Sequence, residues 1–224
     1  MLARRLILPA LALLVAGVPA TAGVIRGTVH VLSATSAPAP ALNAYPGRAD
    51  AIPRLSGPAR GRVTEAVVYV AKVSAEAESA LASLPRARGR LAQKDEAFLP
   101  RVVAVARGSS VDFPNLDPIY HNVFSLSPTR RFDLGKYRQG LSKAVVFDRV
   151  GLVKVYCDIH SDMEAFVLVL PNRAFAQPAA DGSFELPDLP PGSYELHVWH
   201  PDLPELVRPV QVPATGDLRL ELRI

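Results

Sequence analysis

The chain has 224 residues, 21 of them proline and 14 glycine, and a formal net charge of +4. Helical periodicity is scarce, and short alternating apolar runs are separated by Pro, Gly, Asn and Asp clusters, a pattern that predicts an all-β protein of one or two small domains. So balanced a charge argues against nucleic acid as the partner.

Residues 1–22 carry Arg4 and Arg5, an apolar run over 6–18, and a closing Ala20-Thr21-Ala22. That is the layout of a secretory signal peptide cut after Ala22. It implies a periplasmic or secreted protein with no membrane span after cleavage. The alternative is an uncleaved anchor, for which the run is short of the about 20 residues that a span needs. Cleavage removes both arginines and brings the formal charge to +2.

Residues 24–32 (VIRGTVHVL) alternate and predict a strand. A loop rich in Ala, Pro, Ser and Gly fills 33–62, and a second strand is expected over 66–73 (AVVYVAKV). An Ala/Glu/Leu stretch within 74–91 reads as a short helix ending near Pro85. The cluster Arg86, Arg88 and Arg90 reads as a solvated loop. A boundary is placed near Gln93, making 23–92 a set of N-terminal strands and loops.

From 93 to 170 the β pattern tightens. Strands are expected over 98–106, where Pro100 marks an edge or bulge, from Val111, over 120–125 with His121 near the start, over 143–148, over 151–157 and over 164–170. In GLVKVYC, Val153, Val155 and Cys157 share one face, and Leu152, Lys154 and Tyr156 share the other. The remaining 171–224 form another β unit, ending on the strict alternation of Leu218, Leu220, Leu222 and Ile224.

The chemistry centres on Cys157-Asp158-Ile159-His160-Ser161-Asp162-Met163. Cys157 is the one cysteine, so no disulfide within the chain claims it, and a lone thiol in an exported protein is either a liability or a ligand. Taken singly, a strand cysteine or a methionine reads as core, and a histidine as a surface or satisfied core residue. Taken together, Cys157, His160 and Met163 at spacings of three residues, with His121 on a distant strand, read as a metal site. Two imidazoles, a thiolate and a weak thioether favour copper. Zinc is the competing metal, but its structural sites prefer further thiolates or imidazoles to a thioether.

Residues 93–170 resemble the type 1 copper domain of the cupredoxin superfamily, in Phe98-x-Pro100, VDFPNLD, Tyr120-His121-Asn122-Val123-Phe124 and Val155-Tyr156-Cys157-x-x-His160-x-x-Met163. The resemblance implies a Greek-key β-sandwich holding one copper ion. His121 and His160 would be its imidazole ligands, Cys157 the thiolate and Met163 the weak axial ligand. Asn122 would tie the His121 strand to the ligand loop, and His160 would be the electron exit. Both ends of the chain resemble the carboxypeptidase regulatory-like β-sandwich, in Asp181-Gly182-Ser183-Phe184, Leu189-Pro190-Pro191-Gly192-Ser193-Tyr194, and the strands near 24–29 and 66–70. That would insert the copper unit into a smaller sandwich or have the two share a sheet. His197, Trp199 and His200 read there as packing or surface residues.

The expected function is therefore single-electron transfer between redox partners, a dehydrogenase or a cytochrome, and not enzymatic turnover. The alternative is a copper carrier or chaperone, which the shortage of Met- and His-rich tracts disfavours. Copper enzymes need further histidine clusters, and the chain has five histidines in all. A surface structural role for the sandwich is a further class. Asp158 and Asp162 flank His160 and point to a partner with a basic docking patch.

Overall fold

Two β-sandwiches lie back to back in the computed structural model, which describes residues 23–32, 61–85 and 88–224. The signal segment 1–22, nearly all of the expected loop at 33–62, and Arg86 lie outside the described residues. No helix among the described residues is long and apolar enough to cross a membrane. The expected all-β class, with a larger and a smaller sandwich, is what the structure has.

The two ends of the chain build one sandwich. Ile25–His30 runs parallel to Leu218–Arg223 and antiparallel to Ser183–Glu185. Facing this sheet is a second, in the order Phe175–Ala176, Val67–Val70, Gly192–His200, Leu203–Val212. Ile25, Val29, Val68, Leu196, Val198 and Leu222 fill the space between. The helix Ala75–Ser83 closes one side, packing Ala77 and Leu81 on that core. Ser74 caps it by accepting the Ala77 N–H, and Arg173 donates to the carbonyls of Leu81 and Ala82 at its other end.

Between the strands at 67–70 and 175–176 the chain builds the other sandwich. Its smaller sheet pairs Ser109–Pro114 with Ser142–Phe147 and with Gly89–Arg90. The pairing of Gly89–Arg90 starts this unit a few residues ahead of Gln93. Its larger sheet has the order Val102–Ala106, Glu164–Leu170, Gly151–Tyr156, Phe124–Ser125, Phe132–Asp133. The single strand expected over 98–106 is two, Ala97–Leu99 and Val102–Ala106. They part at Pro100, which has no N–H to offer a ladder. The strand expected over 120–125 is also shorter, reaching only Phe124–Ser125.

The strand Glu164–Leu170 is apolar from Ala165 onward, and its packing explains why. Ala165, Val167 and Val169 face the interior of the larger sandwich, with Val111, Phe113 and Phe147 across from them. Phe166, Leu168 and Leu170 face the other way, onto Val67, Tyr69, Phe175 and Trp199 of the terminal sandwich. Both faces are dry, so alternation with polar residues disappears. Four sheets are thus stacked, and the strand beside Cys157 lies in one of the two inner ones.

A buried charged cluster seals the junction between the sandwiches. Arg101 reaches Glu65 at 3.0 Å and Asp202 at 2.7 Å, both from the terminal sandwich, and lies 3.6 Å from Glu164 of its own unit. Its guanidinium also stacks over Phe166. Burying one cation among carboxylates satisfies its donors and fixes the relative position of the two units.

Candidate metal centre

Cys157 follows directly on the strand Gly151–Tyr156 and continues its inward face with Val153 and Val155. The chain then turns tightly. Met163 donates its N–H to the His160 carbonyl at 3.1 Å, and Cys157 donates its N–H to the Met163 carbonyl at 3.3 Å. These bonds close the 157–163 loop on itself, so that His160 stands between two anchored ends. Met163 is buried in the same apolar cluster as Cys157. Asp158, Ile159, Ser161 and Asp162 face solvent.

His121 arrives on the segment that leads into Phe124–Ser125, the strand paired with Gly151–Tyr156. It lies outside any strand and is held by a two-way backbone pairing with Tyr137, at 2.9 and 3.3 Å. Its ring is fully buried. Nδ1 faces the Cys157 Sγ at 3.8 Å and the His160 Nδ1 at 3.2 Å. Nε2 lies 2.7 Å from Asp117 Oδ2. The ligating atoms of His121, Cys157 and His160 all lie within 4.8 Å of one another.

These separations can be tested against a metal. With metal–nitrogen bonds of about 2.0 Å and a metal–sulfur bond of about 2.3 Å, the 3.2 and 3.8 Å spans subtend about 105° and about 125° at a common centre. Both angles suit a three-donor site of two imidazoles and one thiolate, so the residues fit a copper ion. Burial differs among them: His121 and Cys157 are enclosed, while the His160 side chain keeps 24% of its surface. Glu96, itself exposed, approaches the outer nitrogen of His160 to 3.8 Å.

Behind His121 lies a buried polar network. Asn115 donates to the carbonyls of Ile119 and Tyr137 at 2.8 and 3.0 Å, and accepts the Asp117 N–H at 2.9 Å. Tyr137 donates to the Phe113 carbonyl at 2.8 Å and accepts from Gln93 at 2.5 Å. Burial, with the nearby Cys157 adding to it, pushes the Tyr137 phenol up to about 12. Burial alone would raise the Asp117 carboxyl, but the Glu96 N–H, His121 and the Asp95 N–H hold it below the ordinary carboxylate range.

Of the sequence-derived residues, the structure brings His121, Cys157 and His160 to one point and buries Met163 at the end of the same loop. Asn122 does something else. Its side chain donates to Asp133 at 2.9 Å and accepts its neighbour Val123's N–H at 2.7 Å. It therefore braces the turn after Phe132–Asp133 rather than the 157–163 loop. Asp117, Gln93 and Tyr137 were not foreseen, and the available signal was a carboxylate four residues ahead of a candidate histidine ligand. The other histidines stand apart. His30 pairs with Glu221, His197 stacks on Tyr69 and pairs with Glu205, and His200 is buried against the Arg62 carbonyl.

No family model matches the chain, and no curated protein matches it. Among solved structures, it is similar to the copper-containing nitrite reductase NirK from Thermus scotoductus SA-01 (21% identity, TM-score 0.36, 38% of this chain and 23% of that one). It is also similar to a purple cupredoxin from Nitrosopumilus maritimus (20% identity, TM-score 0.34, 36% of this chain and 98% of that one). Amicyanin from Paracoccus versutus is a third (19% identity, TM-score 0.34, 46% of this chain and 96% of that one). The chain thus spans about a quarter of the nitrite reductase's length.

Proposed function

We propose that this chain is an exported, mononuclear type 1 copper protein that passes single electrons between redox partners. The observation that carries the reading is the convergence of His121 Nδ1, His160 Nδ1 and Cys157 Sγ on one buried point. Copper bound there supplies a one-electron couple. His121, His160 and Cys157 would hold it, with the Met163 thioether as the weak axial donor. The protein's part is to keep the donors still and dry. Cys157 and Met163 are pinned by the closed loop, His121 by its pairing with Tyr137, and fixed donors reduce the rearrangement that accompanies a change of charge.

His160 is the donor that reaches the surface, so electrons would pass through its exposed edge. Around it stand the exposed carboxylates of Glu96, Asp158 and Asp162 and the exposed apolar side chain of Ile159. That surface suits a redox protein, a dehydrogenase or a cytochrome, presenting a basic patch. Residues 1–22 would direct the chain to the periplasm or outside the cell. The remaining histidines form no second cluster among the described residues, which favours a carrier of electrons over a copper enzyme. The terminal sandwich we read as a carboxypeptidase regulatory-like module that backs the copper unit.

The test is to purify the mature protein, add Cu(II), and record the visible spectrum during a redox titration. An intense blue band with reversible one-electron behaviour, abolished in Cys157→Ala, supports the reading. A colourless complex with Cu(I) alone would instead identify copper as cargo, and unchanged binding and colour in Cys157→Ala would remove the site assignment.

A further inference from the structure

His121 has two ring nitrogens with opposite surroundings. Nδ1 faces Cys157 Sγ and His160 Nδ1, so it must present a lone pair if the three are to hold a cation. Nε2 faces Asp117 Oδ2 at 2.7 Å in a buried contact. A neutral imidazole carries one N–H, and an ionised carboxylate only accepts. The proton therefore belongs on Nε2, and Nδ1 is left open toward the site.

The carboxylate is itself held by two backbone N–H groups, and the Asp117 backbone by a third contact. Oδ1 accepts the Asp95 N–H at 2.6 Å, and Oδ2 accepts the Glu96 N–H at 3.0 Å. The backbone N–H of Asp117 donates to the buried Asn115 side chain. Asp95 and Glu96 form the two-residue turn between Ala92–Lys94 and Ala97–Leu99, and each has φ of 54°. Two-residue hairpins with both central residues left-handed ordinarily take Asn-Gly. Here two residues with full side chains adopt that conformation, and it aims successive N–H groups at one carboxylate. Asn115 also binds the Tyr137 carbonyl, and Tyr137 pairs with the backbone of His121. Ring and backbone of His121 are thus tied to the same network.

We infer that Asp117 is a positioning residue for the metal centre: gripped by the hairpin tip at 95–96, it fixes the tautomer and ring orientation of His121. The inference rests on the reading of His121, Cys157 and His160 as metal ligands. Carboxylates in this position hold the ring of a ligating histidine and raise its basicity, and their loss weakens metal binding by about 10–100-fold. An Asp117→Asn side chain has one oxygen for two backbone N–H groups and the imidazole, so it cannot reproduce the grip.

The test begins on the full mature protein without metal. Nitrogen-15 NMR of the histidine rings reports which nitrogen of His121 carries the proton. Nε2–H is expected, and Nδ1–H in the unmutated protein overturns the inference without any variant. That readout also separates it from the functional reading: Nε2–H in a protein that binds no copper removes the function and leaves the tautomer assignment standing. Asp117→Asn should then populate the Nδ1–H form and bind Cu(II) or Co(II) about 10–100-fold more weakly. Unchanged affinity in a folded Asp117→Asn protein overturns the positioning role. Asp188→Asn is the control, because it removes the same charge from an exposed side chain of the terminal sandwich, outside this network. It should bind as the unmutated protein does, and a loss there equal to that of Asp117→Asn would assign the effect to surface charge and overturn the inference.

Discussion

Replacing Arg101 with alanine should unfasten the two sandwiches. The Arg101 and Glu65 side chains are 7% and 6% exposed, whereas Asp202 and Glu164 keep 25% and 31%. The two more exposed carboxylates can turn to water when the guanidinium is gone. Glu65 cannot, and it is left as a charge inside a dry interface. Removing one partner of a buried pair costs about 3–5 kcal/mol, and the solvent available to Asp202 and Glu164 places this case near the lower figure. In a chain of this size about 3 kcal/mol lowers the melting temperature by roughly 6–12 °C. The loss of the stacking contact with Phe166 adds to it. Trp199 is the single tryptophan and lies against Phe166 in that interface, so its fluorescence during urea unfolding reads the junction directly. Arg101→Met combined with Glu65→Leu should recover most of the loss, because the unpaired charge is then gone. An Arg101→Ala protein within about 1 kcal/mol of the unmutated one would refute the account of the cluster as a buried clamp.

Three further outcomes follow from the same interfaces. Burial holds the His200 imidazole below its ordinary 6.5, against the pull of Glu65 and Asp202; the unfolded chain then binds the extra proton, so stability should fall as pH drops below about 6.5. Urea midpoints measured between about pH 7 and about pH 5.5 check this, and His200→Gln should flatten the dependence. Gly27→Ala would set a Cβ 2.1 Å from the Leu220 carbonyl oxygen, so thermal unfolding should show a loss of about 1–3 kcal/mol or more; an unchanged melt would contradict the parallel pairing of Ile25–His30 with Leu218–Arg223. A fragment of residues 88–170 bares Val102, Phe166, Leu168 and Leu170 and strands Arg101 without Glu65 or Asp202. It should aggregate, and a monomeric, cooperatively folding fragment by size-exclusion chromatography and melting would refute the junction's role.

What the sequence made legible was whatever is local or periodic. The inward face of Val153, Val155 and Cys157 follows from alternation alone, and the spacing to His160 and Met163 is a loop short enough to close on itself. His121 was reachable because its surrounding motif resembles a known one. The structure differs where distant polar residues decide. The resemblance implied a bond from Asn122 across to the ligand loop, yet its side chain bonds Asp133. Asp117 sits among Pro114, Asn115 and Pro118 and reads as turn punctuation. Gln93 and Asn115 are polar residues that become fully buried, which hydropathy does not reveal. Arg101 finds partners 36 and 101 residues away, beyond any spacing argument. The unbroken apolar run at 165–170 does signal burial on both faces, but not which part of the chain covers the second one.

The donor separations at the site are set by more than its loop. Cys157, His160 and Met163 belong to the turn joining two adjacent strands of the five-stranded sheet. His121 is referred to the opposing sheet, because Asp117 and Tyr137 are both held by Asn115, which follows Ser109–Pro114 and binds the Leu141 carbonyl ahead of Ser142–Phe147. The Tyr137 hydroxyl reaches that sheet again at the Phe113 carbonyl. The separation of His121 from Cys157 is therefore fixed within their own sheet, where Phe124 pairs with Tyr156, and from the opposing sheet, held at its spacing by Phe113, Phe147, Val111 and the inward valines across from them. Close-packed interiors resist compression and transmit strain. The terminal sandwich presses on the far side of the same five-stranded sheet through Phe166, Leu168 and Trp199. A module that contributes no residue to the candidate site thus stiffens the sheet beside Cys157, and this gives a physical reason for two sandwiches to share one buried wall.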